Sequence, residues 1–215
     1  MKYYFFIKSW DNSKSNHEIP SEQADAVALI ERMYERYLSN KEHWIKNEMH
    51  HEHELGGTEE TIFSVDLEDD SMSQEIGRHT VTKISAYDNK KRRHTSFVYV
   101  FVCSEEDVRS FELIPGDIQS IKYYGWTDRP KGRGLIKMTH IPTKISVSCR
   151  DKEQGLSLLK VAVMSSHIKY EKIRRYTFDP YQKVIDERTG AYTEEIGRVI
   201  DGELDLIYDA VEEEE

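Results

Sequence analysis

An uninterrupted apolar run, Val98 to Cys103, follows directly on the segment Arg92 to Phe97, which reads RRHTSF. A short apolar run of this kind is typical of a strand in the core of a β-sheet. From the residues alone, the segment before it is the charged rim of a hairpin. Any fold of this chain must place that strand inside a sheet.

An amphipathic helix is expected to pack on that sheet. Pro20 to Glu22 supply helix-start signals. The apolar residues that follow at three- and four-residue spacing are Val27, Ile30, Tyr34 and Tyr37. This spacing puts them on one face of a helix, against a β layer.

Further strands are predicted from apolar and β-branched runs at Lys2 to Ser9, Thr61 to Leu67, Thr80 to Ser85, Thr95 to Cys103 and Phe111 to Ile114. Asp11 to His17 is rich in Asn and Ser and is expected to be a loop. These elements give an α+β domain that ends near Pro115 and Gly116.

The second half of the chain has its own elements. Ile118 to Cys149 reads as strand, glycine-rich loop, strand, and a helix is predicted from Gln154 or Gly155 to about Met164. Its apolar face is expected to contain Leu156, Leu159 and Val163. The tail from Ile173 has short elements, and Glu212 to Glu215 should fray because like charges repel.

The charge is segregated along the chain. The net charge is -10, but residues 122–175 hold 13 Lys and Arg against 4 Asp and Glu. A basic middle segment between acidic ends can bind phosphate locally. A solvated Lys and Arg face is an equally good interpretation of the same residues.

Cysteine usage favours a reducing compartment. Cys103 and Cys149 both lie in strand-like runs and form no Cys-x-x-Cys pair, so buried thiols are expected. The segment Met1 to Ile7 has no signal-peptide or transit pattern, and no apolar stretch approaches a membrane span. We therefore expect a cytoplasmic protein with no membrane partner.

The segment before RRHTSF adds a family resemblance. Lys83 to Asp88 reads KISAYD. Together the two segments resemble the codon-reading strand-loop-strand of bacterial class-I peptide chain release factors of the UGA/UAA-reading type, roughly RISPFD…GRRHTSF…VFV. Other matches to the family occur in the family order: Glu22 with Asp25, Glu31 to Tyr34, Thr139 to Thr143, Ile173-Arg174, Tyr176, Asp186, Arg188 to Gly190, and Asp201-Gly202.

The resemblance implies three parts. Residues 1–116 would be a decoding-type domain, a mostly antiparallel sheet with a packed helix. Residues 117–172 would be a reduced remnant of the catalytic domain, and residues 173–215 a C-terminal segment that packs back on the decoding domain. The N-terminal helical domain of a full release factor is absent from this sequence.

The resemblance also implies RNA-binding roles. Ser85, His94 and Thr95 match the positions that contact the second and third bases of the stop codon. A Thr hydroxyl can donate and accept hydrogen bonds, and an imidazole offers a stacking surface. The remaining residues expected to contact RNA or the codon are Glu22, Tyr87, Lys90, Lys91, Arg92 and Arg93.

First-base recognition departs from the family pattern. The family has a Gly-Gly-Thr-Glu turn whose backbone N–H groups recognise uridine, and Ile19 to Glu22 take its place here. Pro20 has no N–H to donate. Strict stop-codon selection is therefore in doubt.

The catalytic loop departs further. The family's Gly-Gly-Gln, which hydrolyses peptidyl-tRNA, does not occur in the shortened segment from Tyr123 to His140. We therefore expect no enzyme activity of the family type. Arg129, Lys131 and Arg133, with Trp126 nearby, are suited to an RNA backbone, and a plain surface turn is an equal alternative.

No metal or cofactor is predicted. His50, His51 and His53 could share a metal, but the run has no distant fourth ligand and precedes Gly56-Gly57 as an exposed loop would. The acidic residues Asp66, Glu68, Asp69 and Asp70 are interpreted as a solvated turn.

Three functions remain open. The first is a binding protein that occupies the ribosomal decoding site, with rRNA and mRNA as partners, or a transcript segment, without hydrolysis. The second is a termination or rescue factor that promotes release by another loop or with a separate hydrolase. The third is an interaction protein that uses its acidic surface. The residues favour the first.

Overall fold

The computed structural model of the chain describes residues 1–9, 20–123 and 135–212. The strands are β1 (Lys2–Ser9), β2 (Ile45–Glu52), β3 (Thr58–Asp66), β4 (Gly77–Ile84), β5 (Arg93–Ser104), β6 (Ile118–Tyr123), β7 (Leu135–His140), β8 (Ile145–Cys149), β9 (Lys172–Thr177), β10 (Lys183–Asp186) and β11 (Tyr192–Thr193). The α-helices are α1 (Ser21–Asn40), α2 (Glu105–Ser110), α3 (Lys152–Ser166), α4 (Ile196–Ile200) and α5 (Asp205–Glu212). Short 3-10 turns lie at Ser71–Glu75 and Pro115–Asp117.

These strands form two sheets. The larger has the order β11-β10-β9-β4-β5-β1-β3-β2, and only its β4–β9 pair is parallel. The smaller has the order β6-β7-β8 and is antiparallel. The predicted α+β class is confirmed. Within the residues that the structure describes, no helix is long and apolar enough to cross a membrane.

The apolar run of β5 is explained by burial on both faces of the large sheet. Val98, Val100 and Val102 belong to the core beneath α1. Phe101 and Cys103 point to the opposite core, which α3 and the smaller sheet share. Because side chains alternate along a strand, only a continuous apolar run can fill both cores.

The helix predicted after Pro20 is confirmed as α1. Val27, Ile30 and Tyr34 are fully buried, and Tyr37 is half-buried at the margin of the same core. The strand predicted at Lys2 to Ser9 has the same limits as β1. Both thiols are buried and free, as expected.

One strand predicted near the middle of the chain was wrong, and one observed strand, β2, was not predicted. Phe111 to Ile114 forms no strand, because the chain has just left α2 and runs extended without a ladder partner. The α2 helix begins with a capping box, in which Ser104 and Asp107 each accept a hydrogen bond from the other's backbone N–H. Strand β2 was not predicted because Met49 is the one residue of this edge strand that is buried.

Helix α3 is longer than predicted and is turned differently. Asp151 caps it by accepting a hydrogen bond from the Gln154 N–H at 2.8 Å. Leu156, predicted to face the core, is exposed, whereas Leu158 and Leu159 are buried. The helix can approach the small sheet closely because Gly155 has no side chain, and a Cβ there would overlap atoms of that sheet.

A buried ion pair fastens the tail to the large sheet. Arg174 on β9 donates two hydrogen bonds of 2.8 Å to the carboxylate of Glu75, and both side chains are fully buried. Tyr34 on α1 and Tyr208 on α5 donate to the same carboxylate at 2.6 and 3.0 Å. We call Glu75, Arg174, Tyr34 and Tyr208 the buried ion-pair cluster.

The charge states in this cluster follow from its geometry. Burial raises the pKa of Glu75, but the Arg174 guanidinium opposes burial and the net pKa lies below its usual value. Burial lowers the pKa of the neighbouring His79 to about 4, so that imidazole is neutral at pH 7. The Glu75 carboxylate and the Arg174 guanidinium therefore balance each other, and the buried Asp186 carboxylate, 3.9 Å from Arg174, pairs with Arg188 at 2.6 Å.

Strands β9 to β11 of the tail continue the large sheet, with β9 beside β4. This placement is what a C-terminal segment packed on the decoding-type domain requires. The boundaries after residues 116 and 172 stay a prediction.

Substitution of Arg174 should test the buried ion-pair cluster. Arg174→Met leaves the Glu75 carboxylate buried without its cation, which typically costs about 3–5 kcal/mol. We expect urea unfolding to show a loss of that size. Arg198→Ala is the control, because Arg198 pairs with Glu195 and Glu203 at the surface and its loss should leave the midpoint nearly unchanged. Equal effects of the two substitutions would contradict a central role for the cluster.

Candidate functional site

The segment that resembles a codon-reading loop forms the end of the β4–β5 hairpin. We call residues 85–95, the turn together with the first three residues of β5, the hairpin tip. A hydrogen bond of 3.0 Å from the Ser85 N–H to the Arg92 carbonyl closes it, and one of 2.8 Å from the Lys91 N–H to the Asp88 carbonyl forms the turn inside it. The tip lies against the first turn of α1.

Ser85 joins the hairpin tip to α1. Its hydroxyl donates to the Glu22 carboxylate at 2.6 Å and accepts from the N–H groups of Tyr87 and Asp88, both at 3.1 Å. The hydroxyl of Ser85 lowers the pKa of Glu22 below its usual value. Ser85 is buried. To read a base edge, as predicted, its hydroxyl would have to change partners.

A second set of contacts uses Asp25, one helical turn after Glu22. The Asp25 carboxylate accepts from the Tyr87 hydroxyl at 3.0 Å and from the Lys83 ammonium at 3.1 Å. Ser96 on β5 donates to the Glu22 carbonyl at 3.0 Å. The three-residue spacing puts the two acids on one helix face, but nothing local in the sequence signals their partners on the hairpin.

Asp88 organises the basic side of the tip. Its carboxylate accepts from the Arg92 side chain, from the Lys90 N–H at 2.9 Å and from His94 at 3.3 Å. The Arg92 guanidinium holds the pKa of Asp88 well below its usual range. Arg92 is therefore partly neutralised within the tip, and a phosphate would have to compete with Asp88 for it.

The outward side of the tip carries the remaining predicted residues. Lys90, Lys91, Arg93 and Thr95 are all exposed. Within residues 1–9, 20–123 and 135–212, Lys90 and Lys91 make no ion pair, and Arg93 reaches only the Asp179 carbonyl at 3.4 Å. The Thr95 hydroxyl lies 3.3 Å from that of Thr82. These cations are available to phosphate.

The backbone at Lys91 is left-handed, with φ of +48°. In the family pattern a Gly precedes the Arg-Arg pair at this position. A Gly adopts such angles without steric cost, whereas an L-residue pays for them. At this position of the turn the chain has a cation where the family pattern has a Gly.

The first turn of α1 follows the sequence expectation for Pro20. Pro20 lies at the N-cap, and its carbonyl accepts from the N–H groups of Gln23 and Ala24. No side chain caps this end. Ile19 lies outside the described residues, as does the loop predicted at Asp11 to His17.

The second predicted RNA-binding group lies in a segment that the structure does not describe. Arg129, Lys131 and Arg133, with Trp126, lie outside the described residues, so their role stays a prediction. Within the basic middle segment, Arg174 is fully buried in the ion pair with Glu75. Arg174 therefore belongs neither to a phosphate-binding surface nor to a solvated Lys and Arg face.

Two glutamines lie on either side of the shortened segment, Gln119 before it and Gln154 after it. The Gln154 amide donates to the Glu48 carboxylate at 3.0 Å and joins α3 to β2. Gln119 is exposed on β6.

The histidine run is not the exposed loop that the sequence predicted. His50 and His51 lie on β2 and contact Glu31 and Glu60 at 3.1 and 2.9 Å, while His53 is buried in the following turn. Over the described part of the chain, no three His, Cys, Asp or Glu side chains form a group that could hold a metal ion. The acidic turn at 66–70 is solvated as predicted, with Leu67 buried beneath it.

Replacement of Ser85 should have a pH-dependent effect. The folded pKa of Glu22 is lowered, so the stability from the Ser85–Glu22 bond is present above the unfolded pKa, about 4.3, and is lost as pH falls through the folded value. We expect Ser85→Ala to reduce the free energy of unfolding by about 1–2 kcal/mol at pH 7, and by less as pH approaches 3. Urea unfolding measures both. Ser110→Ala, at a surface hydroxyl bonded to a carbonyl, should show no such pH dependence, and an equal loss for Ser85→Ala at both pH values would contradict the assignment.

Replacement of Lys91 should relieve its backbone. We expect Lys91→Gly to raise the free energy of unfolding by about 0.5–1 kcal/mol, because Gly accepts a positive φ. Lys90→Gly is the matched control, since Lys90 has no positive φ and a Gly there should destabilise. The measurement is thermal unfolding of both variants. If both substitutions change the melting temperature in the same direction, Lys91 is not strained.

The chain is similar to known proteins over most of its length. Residues 21–100 match the PCRF domain. Peptide chain release factor 2 of Thermosipho africanus is 28% identical, with 88% of this chain and 60% of the relative covered. Peptide chain release factor 1 of Symbiobacterium thermophilum is 31% identical, with 88% and 62% covered.

A solved structure shares the fold. RF2 of Thermus thermophilus superposes with a TM-score of 0.73 at 23% identity, over 98% of this chain and 67% of that one. The chain spans about 60% of the length of the release factors named above. The resemblance inferred from the hairpin tip is confirmed: over 88% of its length the chain is a homologue of bacterial peptide chain release factors 1 and 2, and residues 21–100 match their PCRF domain.

Proposed function

We propose that this chain binds RNA, in the ribosomal decoding site or on a transcript segment, without hydrolysing peptidyl-tRNA. The observation that carries the proposal is the hairpin tip. It keeps His94 and Thr95 of the family pattern beside exposed cations, in a chain homologous to release factors but without Gly-Gly-Gln.

Each part of the tip has a role in this proposal. Lys90, Lys91 and Arg93 contact phosphates, since a Lys or Arg without an internal ion pair loses least on binding them. Thr95 reads a base edge and His94 stacks on a base. Single-stranded RNA is bound by this combination of cations, hydroxyls and rings.

Other residues hold the tip in shape. Ser85, with Glu22, and Tyr87, with Asp25, fix the hairpin against α1. Arg92 joins RNA by exchanging Asp88 for a phosphate. The tip is thus organised before RNA arrives, which reduces the entropy lost on binding.

The absence of hydrolysis is proposed from the sequence. Peptide release needs a water oriented at the ester and backbone donors aimed at the developing oxyanion. The 215 residues contain no Gly-Gly-Gln. The Gln154 amide donates to the Glu48 carboxylate at 3.0 Å, which supports the proposal.

A second candidate function is a release or rescue factor that acts by another loop or with a separate hydrolase. The similarity over 88% of the chain to proteins that are release factors favours it. Residual peptide release by the purified chain separates it from the first.

Replacing the two arginines should weaken RNA binding broadly. We expect the variant with Arg92→Ala and Arg93→Ala to bind mRNA-programmed ribosomes more weakly for every codon. The slope of the logarithm of affinity against the logarithm of salt concentration should become shallower by about one for each phosphate that the variant no longer neutralises. Arg198→Ala, a surface arginine paired with Glu195 and Glu203, is the control and should bind like the parent.

Thr95→Val should act differently. It keeps the side-chain shape and removes the hydroxyl, so base preference should change more than affinity. Titrations against ribosomes with different A-site codons measure both. If the arginine variant and Thr95→Val both bind like the parent, the assignment of the tip fails.

A further inference from the structure

A loop from the tail lies beside the hairpin tip. Residues 178–182, which we call the 178–182 loop, connect β9 and β10. The Asp179 carboxylate accepts from the Ile84 N–H at 3.2 Å, and its carbonyl accepts from Arg93 at 3.4 Å. The Phe178 N–H donates to the Thr82 carbonyl at 2.9 Å. The loop is therefore fastened to the strands that carry the tip.

Tyr181 in this loop is left in solvent. It is 82% exposed, the highest value among the exposed large apolar side chains of the described residues. Only Pro180 lies between it and Asp179, so its Cα lies within about 7 Å of that anchor. Tyr192, on the neighbouring strand β11, is 51% exposed, and the Lys183 ammonium lies 3.3 Å from its ring centre. Tyr181 makes no such ring or cation contact within residues 1–9, 20–123 and 135–212.

The surroundings of Tyr181 suit a nucleobase. The Arg93 guanidinium donates to the Asp179 carbonyl at 3.4 Å, so it contacts the loop that carries Tyr181. Exposed Ile84 and Tyr87 add apolar surface at the same end of the hairpin. A protein partner usually needs a contiguous interface above about 1,000 Å², whereas an exposed ring on a loop that also contacts a cation can bind one base of single-stranded RNA.

We propose that Tyr181 is a base-stacking residue and that the 178–182 loop with the hairpin tip forms one RNA-binding surface. The inference rests on the proposed function and extends it to a residue far along the chain. Asp179 holds the loop in place through its two hydrogen bonds, and Arg93 contacts the phosphate next to the stacked base. The ligand is a nucleotide adjacent to those that Thr95 and His94 contact.

The test compares Tyr181→Ala and Tyr181→Phe with the parent. Affinity is measured for mRNA-programmed ribosomes and for a fluorescent single-stranded RNA of the same sequence, over a range of salt. Stacking of one base predicts a roughly 5- to 150-fold loss of affinity for Tyr181→Ala. Tyr181→Phe should keep the affinity because it keeps the ring. The salt dependence should stay near the parental value, because no charge is removed.

Two further variants make the outcome specific. Tyr192→Ala removes an exposed tyrosine that already has a cation partner and should bind like the parent. The variant with Arg92→Ala and Arg93→Ala should lose affinity and salt dependence. Thermal unfolding of Tyr181→Ala should match the parent, because so exposed a ring contributes little to the core.

The failures of the two proposals are distinguishable. Parental affinity of Tyr181→Ala, with weakened binding of the arginine variant, overturns the inference and leaves the proposed function standing. A loss that Tyr181→Phe shares, or that Tyr192→Ala equals, also overturns it. If the parent binds neither target, the proposed function fails and the inference fails with it.

Discussion

The fold depends on the buried ion pair between Glu75 and Arg174. One carboxylate accepts two hydrogen bonds from β9, one from α1 and one from α5. An unpaired buried charge is costly, so each of these elements is needed to satisfy the others. The pair holds β9 in parallel beside β4. That register brings the 178–182 loop to the end of the sheet where the hairpin tip lies.

The hairpin tip is built from contacts between opposite charges and hydroxyls. Glu22, Asp25 and Asp88 each accept hydrogen bonds from residues of the hairpin, so much of its positive charge is balanced internally. Lys90 and Lys91 are exposed and take no part in these charge-balancing contacts. A chain with a net charge of -10 can therefore present a small cationic end. Affinity for RNA would come from few contacts and would depend strongly on their geometry.

The sequence predicted the elements whose signals are local. The run of β5, the stripe of α1 and the limits of β1 were all readable because burial leaves a periodic pattern. Strand β2 was missed because its polar residues give no such pattern, and Phe111 to Ile114 was misassigned because extended backbone needs a partner to be a strand. Arg174 was counted as surface charge, since nothing local signals its pairing with Glu75, 99 residues away. The contact of Ser85 with Glu22 was likewise beyond sequence reasoning, although both residues were named.

The central claim is that the chain occupies a decoding site or transcript without releasing peptide. The most direct measurement adds the purified chain to ribosomes with UGA, UAA or a sense codon in the A site and follows binding and peptide release in the same tubes. The account predicts binding to mRNA-programmed ribosomes or to the free message, with no release above the background of ribosomes alone. Peptide release by the chain, or failure to bind either target, would contradict it.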